Sequence, residues 1–162
     1  QKANGATPTA ADLGINTTGT VLQVVNNKLE NVHTTTSGSY TGIVQVNIIP
    51  KFANSKLYIT GYVSGAADNN CRVTCFRDST NLITTNTSRT PAIADFYENQ
   101  WNGTILVKPF EALVDAGNTN QTTFAFKAFT TGTFYINAPR DTSNSVGRTN
   151  GVSTITVMEI AG

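Results

Sequence analysis

Three stretches of this sequence are apolar on both faces when read as extended chain, and that narrows the folds open to it. In "TVLQVV" (20–25), Val21 and Val25 fall opposite Leu22 and Val24. In "GIVQVNII" (42–49), Val44, Val46 and Ile48 fall opposite Ile43 and Ile49. In "STITVMEI" (153–160), Ile155 and Val157 fall opposite Met158 and Ile160. An antiparallel strand with one solvated face alternates apolar and polar residues, so these strands need cover on both sides. A core supplies one cover; a long loop or a neighbouring subunit supplies the other. Charged residues make up only 13% of the chain, too few to solubilise an open apolar face, so a subunit is the expected cover. That reasoning makes Val21, Val25, Ile155 and Val157 candidate subunit contacts. The final strand, near the end of the sequence given, gains its cover the same way.

The rest of the chain repeats the same grammar. Strands are expected at 20–26, 40–49, 56–65, 70–78, 82–85, 100–117, 122–130, 133–139 and 152–161. Turns rich in Gly, Asn, Asp and Thr separate them, and Pro50 stops the second. The short 82–85 segment pairs back through the turn "DSTN". Polar loops fill 27–39 and 86–99. No persuasive helix breaks the series, so the fold class is all-β: an antiparallel β-sandwich, jelly-roll-like. Thr and Asn supply roughly a quarter of the residues, which suits strands and turns. Residues 1–19 lack periodicity and read as an N-terminal extended arm or linker, with the sandwich over 20–162.

Charge and composition also remove function classes. The net charge is +1 and the basic residues are scattered, so no footprint for nucleic acid is present. No apolar stretch approaches the roughly 20 residues that span a bilayer, so membrane insertion is not expected. Cys71 and Cys75 lie four apart on one strand face. Their Cα atoms would be roughly 13 Å apart, beyond disulfide reach, and two small buried hydrophobes are expected.

Catalytic chemistry is poorly served. His33 has Ser37 and Ser39 nearby in a polar loop but no serine-centred motif, and no catalytic residue is assigned. One His and two same-strand Cys do not make a zinc site. "DNN" (68–70), "DAGNTNQ" (115–121) and "DTSNS" (141–145) space oxygen ligands closely but lack a closing bidentate Glu, so turn chemistry explains them better than calcium. Neither metal nor cofactor is expected, and the chain reads as a non-enzyme. The remaining polar cluster is "DFYENQW". Tyr97 and Trp101 could stack on sugar faces while Asp95, Glu98 and Asn99 bond hydroxyls, making a candidate contact for a host-surface glycan. The competing reading has Trp101 start a strand and anchor packing, as large aromatics do.

Three motifs resemble a known family. "GTVLQ" (Gly19–Gln23), a Pro-Lys-x-x-x-Ser-Lys turn (Pro50, Lys51, Ser55, Lys56) and "MEIAG" (Met158–Gly162) occur in this order across residues 19–162. Together they resemble the C-terminal β-sandwich domain of fibre-like virion proteins of tailed bacteriophages, common among marine and cyanobacterial phages. Where that family has an Arg-Gly-type turn after its first hairpin, this chain has "RDSTN" (77–81). The resemblance implies a structural virion protein at the particle surface, on tail or head. It implies a homotrimer acting as fibre tip, spike or capsid decoration, joined to other virion proteins through residues 1–19 and in contact with the host surface.

Overall fold

The computed structural model describes residues 18–84, 91–97, 103–141 and 149–162. Among these residues the chain is all strand and turn. The strands are β1 (Val21–Leu29), β2 (His33–Thr35), β3 (Thr41–Ile48), β4 (Lys56–Ala67), β5 (Cys71–Arg77), β6 (Thr80–Asn81), β7 (Ala94–Asp95), β8 (Leu106–Asp115), β9 (Thr122–Thr130), β10 (Phe134–Ile136) and β11 (Ser153–Ile160). They form two antiparallel sheets. One runs β1-β11-β4-β10-β2, with β8 on the other side of β4; the second runs β3-β9-β5-β6, with β7 also on β5. The expected β-sandwich is the observed architecture.

Most expected strands sit where the pattern puts them, and the differences have local causes. The polar stretch after Asn26 still pairs, because Asn26–Leu29 continue the ladder against Ser153–Thr156. His33 lies in β2 rather than in a loop and pairs with Ile136. The hairpin partner of β5 is Thr80–Asn81, not 82–85. Asp78 takes a positive φ of 54°, which tightens the turn and brings the return strand forward by two residues.

The doubly apolar strands have a different explanation from the one expected. In β3 a register shift between Gly42 and Val44 puts both Ile43 and Val44 inside, after which Gln45 and Asn47 point out. In β1 a shift between Val21 and Gln23 separates Val21, half exposed, from Val25, which packs on the core. Val21 and Val25 therefore do not share a face. Strand β11 alternates strictly, and it lies between β1 and β4 rather than at an edge. Ile155 and Val157 are fully buried in the chain's own core and have no surface to offer a neighbour.

The core lies between the sheets. Leu57, Ile59 and Val63 of β4 share one core with Phe124, Phe126 and Ala128 of β9, with the Phe96 and Phe134 rings tilted against each other at 5.0 Å. The outer face of the second sheet is roofed by its own chain. Tyr40 packs edge-on to Phe76 at 5.2 Å and near Phe129 at 6.0 Å, and the Lys127 ammonium sits 4.4 Å from the Phe76 ring centre.

At the other end of the molecule the three sequence motifs converge on one carboxylate. Glu159 is fully buried. Its oxygens accept from the Lys51 N–H at 2.8 and 3.0 Å, the Phe52 N–H at 3.1 Å and the Gln23 amide at 2.6 Å. The same Gln23 amide donates to the Ile49 carbonyl, and the Lys51 ammonium donates to the Leu22 carbonyl. Gly19, in the left-handed region, exchanges backbone bonds with the final segment through Gly19 N–H to Ala161 and Ala161 N–H to Thr20. The Pro-Lys turn, the opening strand and the closing strand thus form one seam between the two sheets.

Burial alone would push the Glu159 carboxyl up, but the Lys51, Gln23 and Phe52 donors outweigh it and hold the group below its ordinary value of 4.5. A depressed folded value means that the stabilisation is fully present above the unfolded pKa and disappears as pH falls through the folded one. Glu159→Gln, which turns an N–H toward these donors, should cost about 2–3 kcal/mol at neutral pH. It should also flatten the loss of stability on acidification below pH 4.5. Denaturant melts of both proteins from neutral pH down through the carboxylate range check this.

Candidate functional site

The residues singled out for sugar contact do not act as one group. Asp95 ends β7, and its Oδ1 accepts from the Cys71 N–H at 3.1 Å and the Tyr97 N–H at 3.3 Å. It is a backbone cap that turns the chain beside β5, with one carboxylate oxygen already committed. Phe96, next in sequence, is fully buried against Phe134 and pins the segment. Tyr97 emerges 47% exposed and bridges to Ala67 through its backbone. Of the proposed constellation, Tyr97 and Asp95 are placed; Glu98, Asn99 and Trp101 lie outside the described residues.

The other chemistry-bearing residues are dispersed as well. His33 is exposed on β2, while the Ser37 hydroxyl is engaged with the Ser39 backbone, donating to its carbonyl and accepting from its N–H. Cys71 and Cys75 are free and buried. Burial pushes the Cys75 thiol up to about 12, and burial with the Asp95 charge raises Cys71 further still. No group of three or more His, Cys, Asp or Glu side chains gathers as a metal site among the described residues. Two of the oxygen-rich turns, at 68–70 and 115–121, spend ligands internally, and residues 142–145 of the third lie outside the described residues. Asp68 accepts from the Thr133 N–H, Asn69 from the Asn70 N–H and Asn118 from the Asn120 N–H, while Asp115 pairs with Lys56.

Two surfaces remain that sequence reasoning did not single out. The first is a polar cleft of about 570 Å3 between the β5–β6 turn and the β8–β9 turn, lined by Arg77, Asp78, Asn118, Asn120, Gln121 and Thr122 among others. Arg77 fixes its floor. The guanidinium donates to the Asp115 and Ala116 carbonyls at 2.7 and 2.6 Å and to Thr122 at 3.3 Å, and lies 5.8 Å from the Phe124 ring centre. Asp78 accepts from the Thr122 hydroxyl and the Thr123 N–H. The two turns are locked together, and the lining is hydroxyl, amide and one charge of each sign, each hydrogen-bonded to neutral groups.

The second surface is the outer face of the sheet β1-β11-β4-β8. Strand register lines up Val24, Met158, Tyr58 and Leu113 in one row across it. Val24 and Leu113, at the two ends of that row, are 54% and 59% exposed. Val107 and Pro109 extend the apolar surface along β8. Nothing in the period-2 pattern of β1 alone could have assigned this face, because the bulge near Val21 decides which valine points out.

No protein-family model matches the chain, and no curated protein sequence does. Solved structures with a similar arrangement include that of infectious bursal disease virus Gx strain, at 17% identity and a TM-score of 0.45, covering 86% of this chain and 32% of that one. Another is the infectious bursal disease virus VP2 subviral particle, at 15% identity and a TM-score of 0.47, covering 88% and 34%. The chain spans about a third of the length of these structures.

If Asp95 serves the backbone, its loss is felt in stability. Asp95→Ala should cost about 1–3 kcal/mol by stranding the Cys71 N–H. Tyr97→Ala, which removes a half-exposed ring, should stay within about 0.5 kcal/mol of the parent. Thermal melts of the two variants separate a cap from a surface side chain.

Proposed function

We propose that this chain is a structural protein of a tailed-bacteriophage virion, a homotrimer serving as fibre or spike tip or as a capsid decoration. The observation that carries this reading is the seam at Glu159. The three motifs that resemble the fibre-like virion family are more than 25 residues apart, yet they are parts of one hydrogen-bonded unit. A shared motif set that builds a single structural device is stronger support for kinship than three separate short matches. An exposed apolar sheet face, in a chain with few charges, adds support for a multi-copy assembly. In such an assembly residues 1–19 tether the sandwich to the particle, and several copies on one axis turn weak surface contacts into avidity. No chemical step is assigned to it.

A second reading, a carbohydrate-binding module for host-surface glycan, draws on the polar cleft. Its hydroxyls and amides suit a neutral, hydroxyl-rich ligand, and loops on a rigid sandwich commonly carry recognition. The two readings are compatible, since a fibre tip can bind sugar.

Sedimentation velocity at micromolar concentration should give the mass of three chains; a stable monomer would count against the assembly. Gold-labelled antibody to the domain should decorate the surface of intact particles of the encoding virus, and absence of label there would overturn the virion assignment. For the second reading, a glycan array should show binding that Asn118→Ala with Asn120→Ala reduces at least tenfold. An array blank for the assembled protein removes it.

A further inference from the structure

Strand register sorts the outer face of β1, β11, β4 and β8 into rows, and the rows differ in chemistry. Beside the apolar row of Val24, Met158, Tyr58 and Leu113 runs a second, of Asn26, Thr156, Thr60 and Glu111, polar from end to end. The third sets Tyr62 between Thr154 and Pro109. Thr60 is thus bracketed on its own strand by Tyr58 and Tyr62, whose Cα atoms lie about 13 Å apart in extended chain. Tyr62 is 36% exposed. A depression of about 350 Å3 lies at this place, lined by Thr60, Pro109, Phe110 and Glu111. That is enough room for a small ligand.

The polar groups here are positioned and only partly used. The Tyr58 hydroxyl donates to Glu111 Oε2 at 2.8 Å, which fixes the carboxylate by one oxygen and leaves Oε1 to accept from a ligand. Lys28 and Lys56, on the same face, are engaged by Glu30 and Asp115, and no cation pairs with Glu111 among the described residues. The Asn26 amide donates to the Thr154 and Thr156 hydroxyls at 3.0 and 2.8 Å, so Thr156 keeps its own hydrogen to give.

We infer that this depression binds a neutral saccharide, a sugar ring lying against Tyr62 with its hydroxyls on Glu111 and Thr60. A sugar is apolar across its ring faces and polar around its edge, and the site offers an aromatic ring beside a carboxylate and a hydroxyl. Charge selects the kind of sugar. An unpaired carboxylate accepts from hydroxyls through strong bonds, but it repels the anionic group of an acidic sugar. The polar row continues through Thr156 to Asn26 over about 14 Å at strand spacing, which accommodates a short chain of sugars. The cleft between the β5–β6 and β8–β9 turns has no aromatic side chain in its lining, so the two places are chemically distinct. This assignment depends on the glycan reading and gives it a stacking platform; the neighbouring apolar row is left to assembly.

The test screens the full chain on an array of neutral and acidic oligosaccharides. Titration calorimetry then uses the neutral oligosaccharide with the strongest array signal. Tyr62→Ala and Glu111→Ala should each weaken binding about tenfold with thermal melts unchanged, since both side chains reach solvent. Tyr62→Phe, which keeps the ring, should stay within about twofold of the parent. Binding that survives both alanine variants, including binding lost only on Asn118→Ala with Asn120→Ala, overturns this site while leaving the glycan reading standing in the cleft. Binding confined to acidic glycans overturns the carboxylate's role and the site with it. A blank array overturns the glycan reading itself.

Discussion

The Glu159 carboxylate sits where three segments of chain meet, and where two backbone donors of one of them would otherwise be left without acceptors. The Lys51 and Phe52 N–H groups, at the crossing from β3 to β4, have no ladder partner, because the chain there is changing sheets. A side-chain anion supplies what a strand cannot, and charge-assisted bonds of this kind are about twice as strong as neutral ones. Gln23 adds the third donor and passes a bond on to Ile49, so the edge of one sheet is fastened to the corner of the other. Remove the anion and the crossing, the opening strand and the final strand lose their common point. The alternation of β11 depends on it too, since Glu159 occupies an inward position that pattern alone reserves for an apolar residue.

A second buried polar group does similar work at the opposite end. Asn137 is fully buried, with a positive φ of 60°. Its amide donates to the Leu29 and Asn31 carbonyls and its oxygen accepts from the Ser153 hydroxyl. Between them, Glu159 and Asn137 fasten the two ends of β11 to the neighbouring chain. The sandwich is thus held by apolar packing in its middle and by satisfied polar groups at its ends, where the strands turn and ladders run out.

How much of this could be read from the sequence follows from what each residue's neighbours decide. The 122–130 strand was legible, with Phe124 and Phe126 inward and Lys127 and Phe129 outward, because no bulge disturbs its period. The sides of "TVLQVV" and "GIVQVNII" were not, since a one-residue bulge reverses the face of everything beyond it and leaves no mark in composition. Cys71 and Cys75 were legible as buried thiols from strand geometry alone. For the site, the "DFYENQW" cluster announced itself by residue type, but the Asp95 capping bonds depend on where β5 and β7 meet. The polar cleft joins turns some 40 residues apart in sequence, and neither turn reveals its partner.

Strand β8 forms an outer edge of its sheet, ten residues long, and carries Pro109 in its middle. Proline has no N–H to lend, so a foreign strand laid along this edge would meet a gap in its hydrogen-bond ladder. Endless sheet growth, the usual hazard of a long free border, is discouraged at its centre. A copy that approaches this border is denied a continuous ladder at its centre, which guards the fold against running on into a fibril.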